Sequence, residues 1–80
     1  MVEVHPSALK HGADAADIRH AIDNALTIED LDDEARLYLG PSRSAALLEV
    51  VTIARQDGTE LAIHAMPMRA KYERLLPGAD

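Results

Sequence analysis

The sequence contains no cysteine, no tryptophan and no phenylalanine, and only two tyrosines among its 80 residues. Without cysteine the chain has no disulfide, no thiolate metal site and no cysteine nucleophile. The longest stretch without a strong charge is far too short to cross a bilayer. The opening residues 1–6 lack the charged-then-apolar pattern of a secretion signal. We therefore expect a cytoplasmic chain without a membrane segment.

Large apolar residues are also scarce. The hydrophobic fraction is 48%, but 14 of those residues are alanine, which adds little volume to a core. The length fits one domain over residues 1–80, and a chain of this size buries only about 60% of its unfolded surface. Its stability margin is thin for that reason, so we expect it to gain stability in a homo-oligomer or a hetero-oligomer.

Positive charge is sparse and unevenly placed. The net charge is −6, which divides into −7 over residues 1–35 and +1 over residues 36–80. Overall acidity disfavours non-specific nucleic-acid binding, yet the second half holds enough arginine for a local basic face. The acidic run Glu29–Glu34 lacks the spacing of a calcium loop and is typical of a solvated loop.

Hydrophobic spacing in the first half predicts one amphipathic helix. A short strand at Val2–Val4 and a helical turn ended by Gly12 precede it. Asp14 is a typical N-cap, with an acidic residue three positions later. Apolar residues then recur at helical spacing as far as about Asn24.

The second half alternates with the period of strands. Four strands are predicted, at Leu26–Ile28, Arg36–Leu39, Ala46–Arg55 and Glu60–Ala65, and the first two alternate between apolar and polar residues. The third segment is almost continuously apolar, which predicts a central strand in which Glu49 is an anomaly. Asp57-Gly58 predicts a tight hairpin with a type I′ turn.

Pro67 suits the first position of a closing helix. The resulting fold class is α+β, with an N-terminal helix, a three- to four-stranded antiparallel sheet and a C-terminal helix.

Metal and cofactor motifs are missing from this sequence. His5, His11, His20 and His64 match no standard pair of metal ligands. The four glycines occur singly, so there is no glycine-rich phosphate loop, and no serine nucleophile motif is present. We expect neither a metal nor a cofactor.

The end of the chain carries the best candidate for chemistry. His64, Arg69, Lys71 and Tyr72 combine cations that stabilise a phosphate with groups that transfer protons, a set that suits RNA cleavage. These are the candidate catalytic residues, and the candidate phosphate contacts are Arg36, Arg43 and Arg74. The structural alternative places Tyr72 in the core, the basic residues on a solvated helix face and His64 in an ordinary strand position.

Three segments resemble BrnT-type toxins of the RelE/ParE-like group. They are the Lys-His-Gly element at residues 10–12, the Gly-x-Ser loop that runs from Gly40 into a Leu- and Val-rich strand, and the strand end Ile63–Pro67. The resemblance covers roughly residues 9–76 in element order and implies a RelE-like fold. It also implies metal-independent endoribonuclease activity on messenger RNA or at the ribosome, and neutralisation by a cognate, DNA-binding antitoxin.

Two departures from the family pattern bear on activity. Met66 stands where the family has a strand-end arginine, and Ala45-Ala46 stands where a Gly-Arg pair is frequent. Arg69 and Lys71 are candidates to replace those cations. Three other functions therefore stay open: a non-catalytic protein-binding module of the same fold, a ParE-like gyrase poison, and an unrelated soluble domain.

Overall fold

The computed structural model describes residues 2–79, which form one five-stranded sheet and a single α-helix. A short 3₁₀ helix lies at each end of the chain, and we call them the N-terminal and the C-terminal 3₁₀ helix. In chain order the elements are β1 (Glu3–Val4), the N-terminal 3₁₀ helix (Pro6–Leu9), α1 (Ala15–Asp23), β2 (Thr27–Asp30), β3 (Ala35–Pro41), β4 (Leu47–Ala54), β5 (Glu60–Pro67) and the C-terminal 3₁₀ helix (Ala70–Leu75).

The strand order across the sheet is β1-β5-β4-β3-β2. Neighbouring strands are antiparallel except for β1, which pairs in parallel with β5. The α+β class is confirmed, and β2 to β5 form four consecutive antiparallel strands as expected. The expectation is only partly met, because β1 adds a fifth, parallel strand and makes the sheet mixed. The expectation that β4 is central is confirmed, with two strands on either side.

Helix α1 covers one face of the sheet. Asp14 caps it, since its Oδ1 accepts a hydrogen bond of 2.8 Å from the Asp17 amide. The buried side chains Ile18 and Ala21 join the core that β3, β4 and β5 supply, including Val50. At Gly40 the backbones come so close that a β-carbon would overlap the Ala21 carbonyl oxygen. Glycine at this position therefore allows α1 to lie directly on β3.

The C-terminal helix differs from its prediction. Pro67 is the last residue of β5 and does not begin a helix, and the segment that follows is a 3₁₀ helix. The chain stays extended up to Arg69 because its amides have partners in the sheet. The Met68 amide donates to the Leu47 carbonyl oxygen at 3.0 Å, and the Arg69 amide donates to a carboxylate oxygen of Glu49 at 3.0 Å.

The turn between β4 and β5 is the predicted hairpin with a different geometry. The Gly58 amide donates to the Arg55 carbonyl oxygen, and the Arg55 amide donates to that of Thr59. Of Asp57 and Gly58, only Gly58 has a positive φ, at 88°, so the predicted type I′ turn is wrong. The Asp57 carboxylate accepts from both the amide and the hydroxyl of Thr59, which ties this residue into a three-residue loop.

Candidate active site

A buried carboxylate lies at the centre of the candidate site. Glu49 is fully buried on β4, and its two strand neighbours belong to the side of the sheet that α1 covers, so its side chain lies on the opposite face. Oε1 accepts from the amide and the Nε of Arg69, each at 3.0 Å. Oε2 accepts from Arg69 Nη2 at 2.7 Å and contacts His64 Nε2 at 3.0 Å. The carboxylate therefore has four hydrogen-bonding partner atoms, three from Arg69 and one from His64.

These partners keep Glu49 ionised. Burial alone raises the pKa of a carboxyl group, but the hydrogen bonds from Arg69 and His64 outweigh it and lower the pKa of Glu49 to about 2. An ionised carboxylate only accepts hydrogen bonds, so Nε2 of His64 carries the proton between them. The bond thus fixes the tautomer of His64 and leaves Nδ1 as the nitrogen that can take up a proton.

The lowered pKa of Glu49 predicts how the stability of the fold depends on pH. Because the folded-state pKa lies below the unfolded value of 4.5, Glu49 stabilises the fold above pH 4.5, and this contribution disappears as the pH falls toward 2. We expect the difference in unfolding free energy between the wild type and Glu49→Gln, measured in urea, to shrink over that range. A difference that stays constant from pH 7 to pH 2.5 would contradict the charged state of Glu49.

A β-bulge brings His64 to this face of the sheet. Thr52 pairs with Ala62, whereas the next residue back along β4, Val51, pairs with His64, so Ile63 is an extra residue in β5. If β5 were regular, with Ile63 opposite Val51, His64 would pair with Val50, on the side that packs against α1. The extra residue is anchored, because the Ser7 hydroxyl donates to the Ile63 carbonyl oxygen at 2.7 Å.

The Tyr72 ring connects the remaining predicted catalytic residue, Lys71, to Arg69. Its guanidinium carbon lies 5.8 Å from the centre of the Tyr72 ring, and Lys71 Nζ lies 5.0 Å from the same centre. Both distances fit cation–π contacts. The side chains of Arg69 and His64 remain 47% and 27% exposed above the buried carboxylate. His64, Arg69, Lys71 and Tyr72 thus form one surface cluster, which we call the Glu49 cluster.

Two members of this neighbourhood were missed as site residues by sequence reasoning. The sequence marks Glu49 only as an anomaly of its strand, although a lone carboxylate in an apolar strand already signals a cationic partner. His11 follows the N-terminal 3₁₀ helix, and its ring meets the His64 ring edge-on, with centres 5.8 Å apart. Its position in the Lys-His-Gly element was the available signal.

The three predicted phosphate contacts lie on different elements of the fold. Arg36 Nε bonds Asp30 at 2.8 Å, and Arg43 joins the β3–β4 loop to the start of α1 through Asp14 and Asp17, at 2.9 and 2.8 Å. In both arginines, hydrogen bonds to these carboxylates raise the guanidinium pKa. Arg74 is exposed on the C-terminal 3₁₀ helix, three residues from Lys71.

Within residues 2–79, no group of three or more His, Asp or Glu side chains is arranged to hold a metal ion. The helices of the same residues are all too short or too polar to cross a membrane. No family model, curated protein or solved structure matches the chain.

Proposed function

We propose that this protein is the toxin of a toxin–antitoxin pair and that it cleaves messenger RNA as a metal-independent endoribonuclease. The observation that carries the proposal is the Glu49 cluster. A buried, ionised carboxylate orients an imidazole and a guanidinium side by side at the surface, next to a lysine and a tyrosine. This combination supplies both proton transfer and phosphate stabilisation.

His64 is the general base in this proposal. Glu49 holds the proton on Nε2, so Nδ1 accepts the proton of an RNA 2′-hydroxyl. The 2′ oxygen then bonds to the adjacent phosphorus, and the bond from phosphorus to the 5′ oxygen breaks. The 5′ oxygen takes a proton from the Tyr72 hydroxyl, which recovers one from solvent. The products are a 2′,3′-cyclic phosphate and a free 5′-hydroxyl.

Arg69 and Lys71 stabilise the charge that develops on the phosphate. Glu49 uses Nε and Nη2 of Arg69, while Nη1 takes no part in those bonds and the side chain stays half exposed. Arg69 also compensates for the missing strand-end arginine, because Glu49 pairs across the sheet with Met66. The guanidinium that contacts Glu49 therefore lies near the strand end where the family pattern has its cation.

Cleavage of a labelled messenger RNA in the presence of a chelator tests this mechanism. We expect His64→Ala and Arg69→Lys to slow cleavage by about 100-fold, because one removes the base and the other removes the planar donor group. Lys71→Ala should slow it by about 10-fold. Arg19→Gln removes the same charge from α1, outside the cluster, and should cleave at the wild-type rate.

Intact RNA after incubation with the folded wild type would overturn the proposal. So would full activity in both Arg69→Lys and Lys71→Ala. In cells, expression of the protein alone should arrest growth, and co-expression of a DNA-binding protein encoded next to it should relieve the arrest.

A non-catalytic protein-binding module is the second candidate. The net charge of −6 favours it, as does Met66 in place of the strand-end arginine. Such a module would form a stable complex with a partner and leave RNA intact. A ParE-like gyrase poison would also leave RNA intact, but it would inhibit DNA supercoiling by gyrase, which a supercoiling assay measures directly.

A further inference from the structure

Strand β2 is an outer strand of the sheet, and it has a single strand neighbour within residues 2–79. Large apolar side chains line it. Leu26 and Ile28 are 52% and 53% exposed, and Leu31, which follows the strand, is 45% exposed. An exposed strand edge with apolar side chains is a template for an added strand.

A pocket of about 390 Å³ lies beside the end of β2, where β3, β4 and β5 also begin or end. Three acidic residues line it, namely Asp30, Glu34 and Glu60. Arg36 also lines it and already pairs with Asp30. Burial raises the pKa of Glu60, but hydrogen bonds from the Tyr38 and Thr52 hydroxyls outweigh it and keep that pKa low. Both hydroxyls donate to Oε1, so Oε2 is left for another donor.

The segment between β2 and β3 adds further negative charge and is fixed in place. Of its four residues, Asp32, Asp33 and Glu34 are acidic. The Leu31 amide donates to the Ala35 carbonyl oxygen at 2.8 Å, and the Ala54 amide donates to that of Glu34 at 3.0 Å. These bonds join the segment to the sheet. All residues from Glu29 to Glu34 are exposed, as expected for a solvated loop, although Glu29 and Asp30 belong to β2.

We propose that this region, which we call the β2 surface, binds an extended, basic segment of a partner protein. The segment pairs with β2 and packs apolar side chains on Leu26, Ile28 and Leu31. One of its lysine or arginine side chains enters the pocket, where Asp30, Glu34 and Glu60 surround it.

Charge favours a basic protein segment at the β2 surface over a second copy of this chain or RNA. Two copies of this chain paired through β2 would place Glu29 and Asp30 of both copies on one short pair of strands, and these like charges would repel one another. RNA is repelled by the same carboxylates. Identifying the partner as the antitoxin rests on the proposed function, whereas binding of a basic segment does not.

A peptide titration of the full chain, followed by amide chemical shifts, tests this proposal. The probe is a ten-residue peptide of alternating valine and lysine, and its control has glutamate in place of lysine. We expect the basic peptide to shift amides in residues 26–36 and 58–60, and the acidic peptide to shift none. Ile28→Lys and Glu34→Gln should each weaken binding at least fivefold, whereas Leu9→Lys, a matched change at another exposed leucine, should not.

Absence of shifts at millimolar basic peptide would overturn the proposal, as would equal shifts with both peptides. Shifts centred on Arg69 and Tyr72 would place the interaction elsewhere and overturn it too. Protection of the β2 amides in a dimer of the free protein would identify a second copy as the occupant. The titration contains no RNA, so its failure is distinct from loss of cleavage.

Discussion

Replacing Glu49 with glutamine is expected to lower the unfolding free energy by about 3 kcal/mol at pH 7, the cost of breaking a buried charge pair. Glutamine has nearly the same shape, but its NH₂ group places a donor opposite the donors of Arg69 or His64. At least one hydrogen bond is then lost inside the sheet, and the ionic attraction disappears entirely. Urea denaturation of the two proteins measures the difference.

The matched control is Glu73→Gln on the C-terminal 3₁₀ helix. Glu73 is exposed, so the same chemical change should alter stability very little. Equal stability of wild type and Glu49→Gln would mean that the carboxylate does not hold Arg69 and His64. If Glu49→Gln is destabilised and folded, its rate of RNA cleavage should fall as well, because the tautomer of His64 is no longer fixed.

Replacing Gly40 with alanine is expected to lower the unfolding free energy by about 3 kcal/mol, at the upper end for overpacked positions. The added methyl group would overlap the Ala21 carbonyl oxygen and lie 3.0 Å from the Ala25 α-carbon. Both contacts are backbone atoms, which cannot move aside by changing a rotamer. Helix α1 would have to shift as a whole and would lose part of its packing on β3.

Gly58→Ala separates this steric effect from the loss of glycine's backbone freedom. Gly58 has a positive φ and nothing within 4 Å of the added β-carbon, so its replacement should cost about 1 kcal/mol. Thermal or urea unfolding of both variants gives the comparison. If Gly40→Ala is no less stable than Gly58→Ala, α1 does not approach β3 as closely as the structure shows.

Local signals in the sequence were sufficient for much of the fold. The Asp14 cap, the helical spacing of Ile18 and Ala21, and the apolar run of β4 each act over a few residues, and the structure confirms them. The parallel pairing of β1 with β5 was not predictable, because β1 has only two residues and so short a strand has no pattern that indicates which distant strand it pairs with. The end of the last strand was missed for a related reason, since the Met68 and Arg69 amides bond residues about 20 positions away.

In the candidate site, too, some features follow from the local sequence and others depend on contacts between distant residues. Residue type alone brought His64, Arg69, Lys71 and Tyr72 together as a prediction, and the structure places them in one cluster. The role of Glu49 needed the register between β4 and β5. Alternation along β5 could not provide that register, because the bulge at Ile63 interrupts it. Charge alone makes Arg36 and Arg43 candidates in the sequence, but the carboxylates that pair with them are set by the fold.

The bulge at Ile63 also determines which insertions and deletions the chain can tolerate. Removing one residue from the β4–β5 turn would change only an exposed loop. Removing Ile63 would abolish the bulge and leave His64 opposite Val51 and Ala65 opposite Val50, so the rest of β5 would keep its facing. Removing Ala65 instead would keep Met66 opposite Glu49 only if β5 became regular, which would place His64 opposite Val50 and direct an imidazole into the alanine-rich core beneath α1. A one-residue deletion in β5 should therefore be tolerated at Ile63, and sequences that keep the Glu49 cluster should keep the spacing from His64 to Arg69 even where other residues differ.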